Sequence, residues 1–170
     1  MNLHEALKTA IQNEKHVRDH YAKGAEAISE PAGKKAFQTL AKEEQGHVDY
    51  LENRLAEWER TGRVTQPKIG TVLPSKAWLD NVVAGLGKTA PAQIANKVEL
   101  DLLKAALELE KQTSGFYRGL VATLPAGDRD LFEKFLEIED GHVAIVQAEI
   151  DSVTGLGFWF DMPEFALEGQ

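Results

Sequence analysis

A Glu-x-x-His motif occurs twice in this chain, as Glu44–His47 and Glu139–His142, and follows a lone glutamate, Glu14 or Glu110, by 30 or 29 residues. Tyr21 and Tyr117 each stand seven residues after the lone glutamate of their half. The two constellations lie about 96 residues apart, so the chain reads as two copies of one unit. All eight residues fall on apolar stripes. Leu3, Leu7, Ile11, Glu14, Arg18, Tyr21, Ala25 and Ile28 recur at three- and four-residue steps, as do Phe37, Leu40, Glu44, His47, Leu51, Leu55 and Trp58. A third stripe runs through Leu103, Leu107, Glu110, Ser114, Tyr117 and Val121, and a fourth through Phe132, Phe135, Glu139, His142, Val146 and Ile150. This period predicts four long amphipathic helices with carboxylates on their buried faces.

Breakers set the connections. Ser29-Glu30-Pro31 ends the first helix and opens the second, because proline is tolerated in a first turn. Thr61-Gly62 closes the second, and the third stops before Pro125. The fourth is predicted to begin near Asp128, as N-cap, and to end near Gly155. Helices one and two are therefore antiparallel neighbours, and so are three and four. A lone helical hairpin has too little to bury its stripes against, whereas two hairpins bury each other. Residues 62–97, with Pro67, Gly70, Pro74, Gly85, Gly87 and Pro91, read as a long crossover between the hairpins. A short extra helix is expected within it from Ser75 to about Ala84, with Trp78, Leu79 and Val82 buried. The fold class is all-α, a four-helix bundle over 1–155. The aromatic C-terminal tail, 156–170, is expected to pack on the bundle or on a partner subunit.

The in-stripe polar residues carry the chemistry. An i, i+3 pair on a helix aims both side chains at one place, so Glu-x-x-His is a local metal chelate. Four carboxylates buried together without cations cost several kcal/mol apiece, by order of magnitude. A pair of divalent ions would satisfy all four and take both imidazoles. The candidate metal ligands are Glu14, Glu44, His47, Glu110, Glu139 and His142. Carboxylate oxygen mixed with imidazole nitrogen suits iron or manganese, with zinc also compatible. Tyr21 and Tyr117 are core aromatics whose hydroxyls need partners, and a ligand carboxylate of the opposite half would serve. Glu43 is set aside as a shared ligand because its counterpart is Ile138. Glu52, Glu57, Glu108, Glu133 and Glu137 fall off the stripes and read as solvated. His16 and His20 share a face with Asn13 and Lys23 and are expected to be exposed.

The absence of cysteine excludes disulfides, cysteine-ligated zinc sites and iron–sulfur clusters. The net charge of −8, with no basic stripe, argues against nucleic acid as a partner. No apolar run approaches the ~20 residues of a spanning helix, so no membrane role is expected. The mixed N-terminus, Met-Asn-Leu-His-Glu, carries no signal-peptide pattern, and a cytoplasmic location is the expectation.

The arrangement of Glu14, Glu44-x-x-His47, Glu110 and Glu139-x-x-His142 on four helices resembles the ferritin-like di-iron carboxylate proteins. The repeated Glu-to-Tyr spacing and near-symmetric halves resemble the rubrerythrin branch most. The resemblance covers about 2–61 and 98–155. It implies a left-handed ferritin-like bundle with a dinuclear site midway along it. Glu44 and Glu139 would bridge or chelate the two metals, Glu14 and Glu110 would be terminal, and His47 and His142 would complete opposite ends. It further implies an oxidoreductase that reacts with peroxide or dioxygen, drawing electrons from a donor protein or from Fe(II). Iron binding or storage with ferroxidase activity, or a redox-silent zinc bundle, are the alternative readings. A homodimer is the expected assembly. Two features depart from rubrerythrins. Without cysteine there is no rubredoxin domain, and Thr113 stands where they carry a further carboxylate.

Overall fold

The computed structural model describes residues 1–66, 68–71, 73 and 97–154. Among these, four long helices account for the architecture: α1 (Leu3–Ala27), α2 (Pro31–Thr61), α3 (Lys97–Thr123) and α4 (Ala126–Val153). The described residues are all-α, consistent with a four-helix bundle. Most of the expected crossover, including the short helix, and the tail lie outside the described residues.

Local chemistry explains the ends. Asn2 and Glu5 form a reciprocal capping box on α1, with the Asn2 side chain accepting from the Glu5 amide at 2.9 Å. Such a cap contributes about 1 kcal/mol. The helix stops where Ile28 turns extended. Two residues later the Glu30 carboxylate caps α2 by accepting from the Gly33 amide at 2.7 Å, and Pro31 occupies the first turn. Gly62 closes α2 in the left-handed conformation, φ 68°, which glycine adopts without strain. The fourth helix starts earlier than predicted. Pro125 occupies its N-cap, placing Asp128 inside the first turn, where its charge favours the helix dipole.

The short links at 28–30 and 124–125 make α1–α2 and α3–α4 hairpins, and α1 packs on α3 to join them. Gly24, a weak helix former, is required by this packing. A Cβ there would lie 2.5 Å from the Phe37 ring, so the glycine lets α2 approach α1 near their turn.

The core divides into two apolar masses with a polar layer between them. Val17, Tyr21, Ile28, Phe37, Leu40, Leu103, Ile145 and Val146 belong to one mass. Leu3, Leu7, Ile11, Leu51, Tyr117, Leu120, Phe132 and Phe135 belong to the other. On each helix the passage from one to the other falls at a buried glutamate: Glu14, Glu44, Glu110 or Glu139. The α1 stripe is one residue different from the expected one, since Val17 is buried and Arg18 only half-buried.

Two further carboxylates, Glu99 on α3 and Glu149 on α4, are buried at the Glu30 end of the bundle. Glu99 rests on Gly33, where an added Cβ would come within 1.9 Å of its Oε1. Burial, and then the charge of Glu99, pushes the Glu149 carboxyl from 4.5 up to about 8. The unfolded chain gives up this proton first. Native stability should therefore fall as pH rises from 4.5 to about 8 and level off above it. Glu149→Gln keeps the shape and removes the charge. It should unfold like wild type at pH 5 yet be more stable by about 2–4 kcal/mol at pH 8.5. Urea melts at the two pH values measure this, and an equal offset at both would rule out the assignment.

Candidate metal centre

Glu14 on α1, Glu44 and His47 on α2, Glu110 on α3, and Glu139 and His142 on α4 are each at most 1% exposed. They meet because each sits at the same depth of the bundle. Glu44, His47, Glu139 and His142 form one compact group whose ligand atoms all lie within 4.8 Å of one another. The two imidazoles stack, with centroids 5.3 Å apart and planes 10° from parallel. His47 Nδ1 lies 3.2 Å from Glu44, 3.3 Å from Glu14 and 3.5 Å from Glu139. His142 Nδ1 lies 2.8 Å from Glu44 and 3.8 Å from both Glu110 and Glu139. Glu44 and Glu139 thus face both imidazoles. Glu14 stands at the His47 end and Glu110 at the His142 end.

The tyrosines cross between the hairpins. Tyr21 of the first donates to Glu110 of the second at 2.5 Å, and Tyr117 of the second donates to Glu14 of the first. Burial, then the charge of Glu110 for Tyr21 and of Glu14 for Tyr117, raises both hydroxyls well above the ordinary phenol value. Both therefore remain donors. Phe135 stacks on Tyr117 at 5.1 Å and sets its edge against His47 at 5.5 Å, walling the site with apolar carbon.

The electrostatics show what the cluster lacks. Burial, then the Glu44 charge, pushes Glu14 up to about 8. Burial and three neighbouring glutamates carry Glu139 well above the carboxylate range. Burial would raise Glu44 too, but His47 and His142 outweigh it and hold Glu44 well below 4.5. Burial opposes charge on both imidazoles, yet Glu44 leads the interactions that raise them well above 6.5. Protons meet part of the negative charge, but the hydrogen-bond accounting stays open. Glu44 Oε1 and His142 Nδ1 approach to 2.8 Å without hydrogen-bond geometry and, with Glu110 Oε2, both Glu139 oxygens and the two Nε2 atoms, are buried with no hydrogen-bond partner among the described residues. Buried polar atoms are rarely left so, and oxygen and imidazole donors converging here are those that divalent cations take. The cluster fits a ferritin-like di-iron site.

No protein-family model matches the chain, and no curated protein matches it. Among solved structures, a hypothetical protein from Pyrococcus furiosus is similar, with a TM-score of 0.65, 24% identity and 94% of each chain covered. At that identity the likeness bears on the fold alone.

Other residues depart from the sequence expectations. Glu43, set aside as a shared ligand, is buried, and its Oε2 lies 4.0 Å from His47 Nε2. His20 is half-buried, its Nε2 3.0 Å from the Leu102 carbonyl, whereas His16 is exposed. Glu57 is half-buried and accepts from the Thr65 amide and hydroxyl at 3.0 Å. The residue after each motif glutamate ties its hairpin together from outside. Arg18 donates to Gln45 at 2.9 Å, while Ser114 at 2.6 Å and Arg118 at 2.9 Å donate to Asp140. The polar character of both x positions was the available signal.

Two outcomes follow from this geometry. Glu139→Gln mimics the neutral carboxyl, so the chelator-treated variant should melt within about 1 kcal/mol of wild type. A divalent ion at 100 times its dissociation constant should stabilise wild type by about 2.7 kcal/mol, which for a chain of this size is roughly 5–10 °C in Tm. That shift should vanish in Glu139→Gln and shrink in wild type from pH 8 to pH 6, as protons compete for the ligands. Scanning calorimetry with and without metal tests both. Tyr117→Phe strands a buried Glu14 oxygen and should cost about 1–3 kcal/mol, and an unchanged urea midpoint would show the crossed hydrogen bond to be dispensable.

Proposed function

We propose that this protein is a di-iron oxidoreductase that reduces peroxide or dioxygen, with electrons from a separate donor or from Fe(II) itself. The observation that carries the reading is the set of five inward-facing buried atoms without hydrogen-bond partners among the described residues, Glu44 Oε1, Glu110 Oε2, both Glu139 oxygens and His142 Nδ1, converging from α2, α3 and α4 beside Glu14 of α1. Glu14 with His47 would hold one ion and Glu110 with His142 the other, with Glu44 and Glu139 between them. Iron is favoured because the set is rich in hard carboxylate oxygen and completed by imidazole, with no thiolate.

A bound iron pair supplies two electrons at once, the number needed to take hydrogen peroxide and two protons to two waters. The chain's own residues then have separable tasks. Tyr21 and Tyr117 fix the orientation of Glu110 and Glu14 by donating to them. Phe135 keeps bulk water from the His47 side. A pocket of about 440 Å³, lined by Lys35, Gln38, Thr39, Lys42, Glu43, Gly46 and Gly70, opens beside Glu43, one helical turn before His47. Gly46 contributes to that opening, since a Cβ there would meet nothing within 4 Å.

Anaerobic loading with Fe(II), followed by one equivalent of hydrogen peroxide per iron pair, tests the proposal. Two irons per chain should bind and be oxidised together, with one peroxide consumed, as read by near-ultraviolet absorbance and residual peroxide. Uptake continuing well beyond two irons per chain would mark a storage protein instead. Stable zinc that Fe(II) does not displace would mark a redox-silent bundle.

A further inference from the structure

His47 and His142 occupy matching places in the two halves, and each turns Nδ1 toward the carboxylates. An imidazole that donates a lone pair through Nδ1 carries its hydrogen on Nε2, which then needs an acceptor. Among the described residues neither buried Nε2 has a hydrogen bond. What lies four residues before each histidine differs. Before His47 it is Glu43, 8% exposed, with Oε2 at 4.0 Å from Nε2. Before His142 it is Ile138, which offers no acceptor. A helix places residues i and i+4 on one face, so this contrast is built into the register of α2 and α4. The six buried residues of the centre are shared by the two halves, and the outer partner of the imidazole is not.

We infer that Glu43 is a positioning residue for His47, accepting a hydrogen bond from Nε2 when Nδ1 holds a metal ion, so that the two ion positions are unequal and the one served by His47 is the tighter. The inference rests on the metal reading proposed above. A carboxylate on the outer nitrogen fixes the ring's orientation and tautomer and makes the inner nitrogen a stronger donor. Among the described residues, the outer nitrogen of His142 has no such carboxylate. At 4.0 Å the contact is longer than a hydrogen bond. Closing it requires a shift of the Glu43 carboxylate, which borders an adjoining pocket.

The test is an anaerobic calorimetric titration of the chelator-stripped full chain with Co(II). Wild type should bind two ions in steps separated by about tenfold or more. Glu43→Ala should weaken the tighter step by about 10–100-fold, the usual loss on removing such an outer partner, and leave the weaker step within about threefold. Glu43→Gln retains an acceptor oxygen and should recover part of the loss. Ile138→Glu, at a half-buried position, should tighten the weaker step. In the Co(II)-loaded protein, one slowly exchanging, paramagnetically shifted imidazole N–H should be present in wild type and lost in Glu43→Ala. Two equal steps in wild type, or a Glu43→Ala variant that weakens both steps alike and keeps the N–H signal, would overturn the inference while leaving the metal reading intact. A wild-type chain that binds no ion would overturn the metal reading itself.

Discussion

Charge burial at mid-depth of the bundle is the constraint on which the rest depends. Glu14, Glu44, Glu110 and Glu139 are fully buried, with two imidazoles among them. An unmatched buried charge is penalised by several kcal/mol, by order of magnitude, so this layer is tolerable only if counter-charges reach it. The protein provides positive charge internally through His47 and His142, and hydrogen bonds through the two tyrosine hydroxyls. The apolar masses above and below supply the burial energy that holds the polar layer in place. Leu7, Phe132 and Phe135 on one side and Phe37, Leu40 and Val146 on the other are all but fully buried, and each such side chain contributes about 1.5–3 kcal/mol.

The polar layer was legible in the text of the chain because carboxylates interrupt otherwise apolar stripes, and few structural explanations exist for that. The hairpins were legible because the Glu30-Pro31 start, the Gly62 stop and Pro125 punctuate the periodicity. Finer placement was not. The 3.6-residue period passes close to both Val17 and Arg18, and only packing decides between them. Asp128 has a good N-cap side chain, but the chain was already helical from Ala126 because Pro125 fixes a backbone angle suited to entry.

The buried acids missed by the stripe argument share a cause. Glu99 stands four residues before Leu103 and Glu149 three after Val146, at stripe steps, but their counterparts in the other half are Leu3 and Arg54, so neither belongs to the repeated pattern. Glu43 was set aside because the second half has Ile138 in its place. Demanding agreement between halves finds what they share and discards by construction what distinguishes them. His20 shows the same weakness of a one-helix view, since its partner is a carbonyl on α3, 82 residues away.

The crossed tyrosines carry a consequence for the descent of the fold. Each hairpin presents one phenol and one carboxylate, and receives the matching pair from its mate. A surface that offers what it also requires is complementary to itself, the condition for two-fold pairing of identical pieces. A single ancestral hairpin could have satisfied every one of these bonds by pairing with a second copy. Covalent tandem linkage then replaces a concentration-dependent encounter with an intramolecular one. It also frees the two copies to diverge, and Glu43 against Ile138 is one place where they have done so.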